Sequence, residues 1–154
     1  MTDTPTSTTS TPTAGGCSTK RSLVALTERL REAGLRPTRQ RLALSARLFA
    51  NGDRHATAEM LHEEVVRAGE RVSLATVYNT LHQFKRAGLL RELTVEGAKT
   101  YFDTNTSDHS HYFDETTGAV MDIPVQDLQI ERMPTPPEGY EISHIDVVVR
   151  LRKA

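Results

Sequence analysis

The densest chemical feature of the sequence is Asp108-His109-Ser110-His111. Residues two apart on a strand project to the same face, so His109 and His111 can hold one metal ion between two imidazoles. Together with carboxylates such as Asp108 and Glu96 they form a donor set suited to divalent iron, manganese or zinc, and imidazole alone also suits haem iron. Spacing does not choose among these, and an HxH pair in a polar segment, taken alone, is more often a solvated strand end than a site. His55, in Asp53-Arg54-His55-Ala56, precedes a helix as a ligand or as surface decoration. His62 and His82 fall inside helices and read as structural or solvent-facing, while His144 on the last strand is open to either reading. Cys17 is the only cysteine, so an intrachain disulfide and a zinc site built from this chain's thiolates alone are both excluded. Its neighbours Gly16 and Ser18 do not form the Cys-Pro pair of short haem-regulatory motifs, and it reads as an incidental free thiol. No Ser/His/Asp triad, P-loop or nucleotide fingerprint is present. Catalysis would have to rest on the histidines, and the chain is not expected to be an enzyme.

A second chemistry is polyanion binding. The net charge of −1 over 154 residues conceals strong segregation. Residues 20–47 hold eight basic side chains, Arg39 among them, against Glu28 and Glu32, whereas residues 103–146 hold ten acidic ones against Arg132 alone. Nucleic-acid contact therefore belongs to the first half, although a merely solvated helical surface has the same charge pattern.

These groups need elements to position them. Hydrophobic and charged contents of 37% and 25% fit one globular unit or two small ones. Residues 1–20, rich in Thr, Ser, Pro and Gly, read as a flexible tail without the basic and apolar regions of a secretory signal. No run approaches the roughly 20 apolar residues of a membrane span, so a soluble, cytoplasmic protein without membrane contact is expected. Helical spacing of Leu23, Leu26 and Leu30 starts at Ser22 and stops at Gly34. A second helix follows Pro37-Thr38 with Leu42, Leu48 and Phe49 inward. A third starts near Thr57 and buries Leu61 and Val65. The best-defined helix runs from Ser73 as N-cap to Gly88, with Leu74, Val77, Leu81 and Phe84 on one face and Thr76, Tyr78, Asn79 and Thr80 on the other. A hairpin over residues 89–103 turns at Glu96-Gly97-Ala98. This order is that of a winged helix-turn-helix, with residues 73–88 entering the major groove. Asn79 can pair with adenine, Tyr78 can meet phosphate or a thymine methyl, and Arg39, Lys85 and Arg86 can hold the backbone; the alternative is a solvated helix face. Strands are expected over 109–113, 119–123 and 141–151, with a short helix over 125–132 and a loop through Pro134, Pro136 and Pro137. Ile145, Val147, Val148, Val149 and Leu151 are too apolar for an exposed strand and are expected to be buried at a subunit interface.

Gly34-Leu35-Arg36-Pro37-Thr38-Arg39-Gln40-Arg41, Ser73-Leu74-Ala75-Thr76-Val77-Tyr78-Asn79-Thr80-Leu81 and Glu96-Gly97-Ala98-Lys99 resemble the ferric uptake regulator family. Within it, Phe102-Asp103-Thr104-Asn105-Thr106-Ser107-Asp108-His109 and Asp146-Val147-Val148-Val149-Arg150-Leu151 resemble the iron response regulator branch. The resemblance implies an α+β protein: a tail (1–20), an N-terminal winged helix-turn-helix domain (21–103) and a small α/β dimerisation and effector-sensing domain (104–154). By motif position it implies a sensory metal site at His55, Glu96, His109 and His111, with haem on His109 and His111, and DNA contact through Arg39, Thr76, Tyr78, Asn79, Lys85 and Arg86. The chain departs from the family at Asp114-Glu115-Thr116-Thr117-Gly118, where Cys-x-x-Cys is usual, so the structural zinc site made of four cysteines is missing. Ser110 interrupts the branch's run of histidines and replaces a carboxylate of the family's second metal site. Asn79 stands where an arginine is common, which implies a different operator.

The function expected on this resemblance is a homodimeric repressor of haem synthesis and iron homeostasis genes, bound to a two-fold DNA operator and controlled by haem or iron status. The alternatives are a classical regulator with iron, manganese or zinc as corepressor, and a histidine-metal enzyme or metal-storage protein.

Overall fold

The structure is a computed structural model that describes residues 15–95 and 99–154, with side chains from residue 20 onward. Helices α1 (Gly15–Glu32), α2 (Arg39–Phe49), α3 (Ala58–Arg67) and α4 (Leu74–Arg86) come first, with the short strand β1 (His55–Ala56) before α3. Strands β2 (Arg91–Val95), β3 (Lys99–Asp103), β4 (Ser110–Asp114), β5 (Val120–Ile123) and β6 (Val148–Leu151) follow. Among the described residues no helix is long and apolar enough to cross a membrane.

Three helix starts are capped by a hydroxyl accepting a backbone N–H: Thr38 from Arg41, Thr57 from Met60 and Ser73 from Thr76, at 3.3, 3.2 and 3.1 Å. Each satisfies an amide that the first helical turn leaves without a partner. Beyond α4, Gly88 sits at φ +74°, a left-handed conformation that costs a glycine little, and its N–H donates to Lys85 O to close the helix. The inward faces of the four helices, including Leu30, Leu48, Leu61, Val65, Val77 and Phe84, form one core, and Phe102 of β3 joins it.

Among the described residues, two three-stranded sheets follow the helices. In the first, β3 lies between β1 and β2, antiparallel to both, with His55 and Arg91 each opposite Asp103. In the second, β4 lies between antiparallel β5 and parallel β6, with His111 opposite both Asp122 and Val148. Leu93, Val95 and Tyr101 of the first sheet pack against Phe113, Val120 and Val148 of the second. Tyr101 Oη also donates to Gly118 O at 2.6 Å, fastening the β4–β5 turn to the hairpin. Within that turn the Asp114 carboxylate accepts the Thr116 and Thr117 N–H groups and the Thr117 hydroxyl. Those hydrogen bonds hold its carboxyl below the usual range, the Thr117 hydroxyl contributing most.

The structure departs from expectation at both ends. Helix α1 begins at Gly15, upstream of Ser22. The helix expected over 125–132 is only a 3-10 turn, Val125–Asp127. That segment lies between Pro124 and Pro134, too few residues to repay helix nucleation. The strand expected over 141–151 shortens to Val148–Leu151. Its partner β4 offers only residues 110–114, so the chain upstream of Val148 runs past the end of the ladder. Within one chain Ile145 and Val147 to Val149 are half-buried and Leu151 is exposed.

Candidate functional site

Two cross-strand pairs face each other across the junction of the sheets. The β1–β3 register sets His55 opposite Asp103, the β4–β5 register sets His111 opposite Asp122, and His109 stands just before β4. One donor atom from each of these five residues lies within 4.8 Å of all the others. His55 Nε2 is 3.3 Å from Asp103 Oδ2 and 3.0 Å from Asp122 Oδ1. The same two oxygens lie 3.0 and 3.1 Å from His109 Nε2, and 3.2 and 3.8 Å from His111 Nε2. The His109 and His111 side chains are 4% and 2% exposed and that of Asp103 1%, whereas Asp122 at 37% opens the cluster to solvent.

His55 Nε2 and His109 Nε2 are buried and make no hydrogen bond, although carboxylate oxygens lie near 3 Å. His109 Nδ1 lies 2.8 Å from Ser107 O, an acceptor only, so the ring proton sits on Nδ1 and Nε2 is left as a donor to metal. Burial pushes the Asp103 carboxyl up, but hydrogen bonds from His111 and the Asn105 N–H, together with the nearby His55 imidazole, more than offset it and hold the group well below the usual carboxylate range. Three imidazoles and two carboxylates match a divalent cation in charge, and mixed nitrogen and oxygen donors suit iron, manganese or zinc. The residues present therefore fit a divalent ion.

Outer contacts hold the donors in place. Asn105 N–H donates to Asp103 Oδ1 at 2.8 Å, leaving Oδ2 for the cluster. Arg54 N–H donates to Thr104 Oγ1 and Thr104 N–H to Arg54 O, clasping the chain before His55 to the chain after Asp103. The Arg54 guanidinium makes a two-point pair with Glu64 of α3, at 2.8 and 3.1 Å, and keeps the Glu64 carboxyl low. The site is thus tied to the third helix.

Of the donors expected from sequence, His55, His109 and His111 come together, while Glu96 lies outside the described residues, as does the side chain of Cys17. Asp108 is turned away, 95% exposed, toward Arg91. His144 stands outside the cluster beside Asp146. His62 bonds Val72 O and His82 packs between the rings of Tyr78 and Phe102. Asp103 and Asp122 are ligand candidates that sequence reasoning misses. Each is a carboxylate directly adjoining a buried apolar strand residue, Phe102 or Ile123, which is the signal that could have found them.

On the helical side, Tyr78 Oη donates to Glu59 Oε1 at 2.6 Å, lowering that carboxyl and raising the phenol. Thr76 shares a hydroxyl contact with the Ser73 cap, and Asn79 is exposed. Arg39 pairs with Glu70 and Lys85 with Glu92. Arg86 Nε reaches His82 O, 3.4 Å away in the preceding helical turn. Exposed pairs of this kind are worth roughly 0–1 kcal/mol, so a phosphate can displace the carboxylate partners at little cost.

Residues 32–150 match the sequence profile of the Ferric uptake regulator family. The Peroxide operon regulator of Bacillus subtilis (strain 168) is 36% identical over 118 residues, covering 76% of this chain and 81% of that protein. The Peroxide-responsive repressor PerR of Staphylococcus aureus (strain Mu50) is 34% identical over 116 residues, covering 75% and 78%. In three dimensions the chain is similar to the ferric uptake regulator from Pseudomonas aeruginosa with manganese, at a TM-score of 0.64 and 29% identity, over 83% of this chain and 97% of that one. The two sequence relatives carry names of peroxide response, not of haem control.

Proposed function

The chain belongs to the ferric uptake regulator family, a family of dimeric DNA-binding transcription regulators, and on that premise we propose that it is a repressor whose hold on DNA is set by a divalent metal ion. His55, Asp103, His109, His111 and Asp122 are its ligands in this reading. The observation that carries it is the convergence of five donors from two different sheets on one small volume, with two imidazole nitrogens left without hydrogen bonds.

When bound, a divalent ion supplies the positive charge that two adjacent carboxylates require. The rest is done by the chain. His55 is two residues before the Thr57 cap of α3, and Asp103 ends the strand whose Phe102 enters the helical core. His109, His111 and Asp122 belong to the second sheet region. Holding all five together fixes the angle between residues 21–103, the DNA-binding unit, and residues 104–154, the dimerising unit. In a dimer that angle sets the separation of the two α4 helices, and hence whether both can enter successive major grooves of a two-fold operator. Arg39, Thr76, Tyr78, Asn79, Lys85 and Arg86 make the DNA contacts in this reading.

A finer reading, control of haem synthesis and iron homeostasis genes through haem on His109 and His111, has less support. Both rings are buried, with centroids 4.3 Å apart, and face the same two carboxylates, so a flat macrocycle reaches their Nε2 atoms only if the cluster opens. Peroxide response, for which the two sequence relatives are named, is a further reading of the same site, in which His55, Asp103, His109, His111 and Asp122 would hold the ion that makes the protein oxidant-sensitive.

The test is a titration of operator DNA, selected from a random library with the purified dimer, with Mn²⁺, with chelator, with haem and with peroxide after iron loading. Binding strengthened by roughly 5–150-fold with Mn²⁺ and reversed by chelator is the expected result. Binding indifferent to metal but lost with haem would transfer the assignment to the haem reading.

A further inference from the structure

Arg91 lies outside the donor cluster, yet it is joined to it by two routes. In the β2–β3 ladder it is the residue directly opposite Asp103. Its side chain, only 16% exposed, crosses to the other sheet region, where Nη1 donates to Ser107 O. That same carbonyl oxygen accepts the Nδ1 proton of His109 at 2.8 Å. The other arm of the guanidinium, Nη2, contacts His144 Nε2 and lies 3.3 Å from Asp146 Oδ1, while Nη1 is 3.7 Å from Asp108 Oδ1. His144 Nε2 in turn lies 2.7 Å from Asp146 Oδ1.

We propose that Arg91 is a positioning residue of the metal centre, acting through the Ser107 carbonyl that it shares with His109. This rests on the metal-site reading above. A carbonyl accepting from a cation has a fixed direction, and the imidazole hydrogen-bonded to it inherits that direction. Outer partners of this sort govern ring orientation and basicity at metal sites. Only a planar fork spans the carbonyl on one side and the Asp146 carboxylate on the other, so a lysine can replace the charge but not both contacts. The 144–146 segment lies just before β6 and among the described residues has no ladder partner; the pairing begins after it, with His111 N–H donating to Val147 O. Arg91 thus fastens this segment, the 105–109 loop and the wing strand β2 at one point.

The experiment measures Mn²⁺ affinity and the Co²⁺ visible absorption of the intact dimer for wild type, Arg91→Gln, Arg91→Lys, His109→Ala and the Arg91→Gln/His109→Ala double variant. Arg91→Gln is expected to weaken Mn²⁺ binding by about 10–100-fold and to alter the Co²⁺ spectrum, with Arg91→Lys recovering part of the loss. In the His109→Ala background the Arg91→Gln change should cost nothing further, because its route of action is gone. A purely structural role would lower thermal stability alike in both backgrounds and leave the Co²⁺ spectrum of the folded fraction unchanged, and that result overturns the proposal. Should Arg91→Gln fail to fold, His144→Ala with Asp146→Asn removes the far anchors with the arginine in place, and metal affinity equal to wild type would refute it. If wild type binds Mn²⁺ and Arg91→Gln binds it equally, this inference fails alone; if wild type binds neither ion, the metal-site reading fails with it.

Discussion

Replacing Asp103 by asparagine separates the metal-binding role of this carboxylate from its role in folding. The side chain is 1% exposed, and its Oδ2 stands 3.0–3.3 Å from three imidazole nitrogens. An amide of nearly the same shape can still accept the Asn105 N–H and donate to one imidazole, so the metal-free protein should lose only about 1 kcal/mol. Metal binding should suffer far more. Unit charges about 3 Å apart at an effective dielectric near 20 interact by roughly 5 kcal/mol, and losing half of that is a weakening of about 100-fold. At 100 times its Kd, Mn²⁺ stabilises the wild type by about 2.7 kcal/mol, which for a chain of this size raises Tm by roughly 5–11 °C. At the same concentration the variant sits near its Kd, and its rise should be about 1 °C. Thermal denaturation with and without Mn²⁺ reads both quantities. A variant that keeps the full Mn²⁺-dependent rise would show that Asp103 is a buried structural carboxylate and that the donors converge for another reason.

Glu64 is held low by Arg54. A depressed folded-state pKa stabilises above the unfolded value and loses that contribution as pH falls through the folded one. Thermal melts between pH 7 and 3 should therefore show an acid-linked loss of about 0.5–1 kcal/mol, after allowing for a pair more than a quarter exposed, and Glu64→Gln should remove it. Gly118→Ala should cost about 1–2 kcal/mol, because φ is +72°, while the added methyl itself would make only an ordinary contact with Tyr101 Oη; a neutral Tm would show that the turn relaxes. In operator titrations against salt, Arg39→Ala should weaken all sequences alike and reduce the slope by about one. Asn79→Ala should instead relax preference at one base pair by about 1–3 kcal/mol, and the reverse assignment of these two effects would show that α4 docks differently.

The helical half was legible because its signals are local. Thr57 and Ser73 as caps, Gly88 as terminator and the stripe Val77, Leu81 and Phe84 are each set by neighbours within one or two turns, and each stands where sequence places it. The donor cluster was legible only in part. His109 and His111 announce themselves by their spacing, but Asp103 and Asp122 become partners through strand register, which their place beside a buried apolar residue does not by itself encode. His55 needed the family motif, since a two-residue strand has no periodicity to read. Residues 125–132 form only a 3-10 turn because the apolar residues there imitate helical spacing while Pro124 and Pro134 bound the segment on both sides.

The Asp114 turn has an operational consequence. No cysteine stands in residues 114–118, and four hydrogen bonds do the fastening there, three from the threonines to Asp114 and one from Tyr101 to the Gly118 carbonyl. If the proposed centre holds a metal ion, a chelator would empty it without dismantling the lobe that carries half of it, and loading and emptying would be a reversible cycle on an intact scaffold.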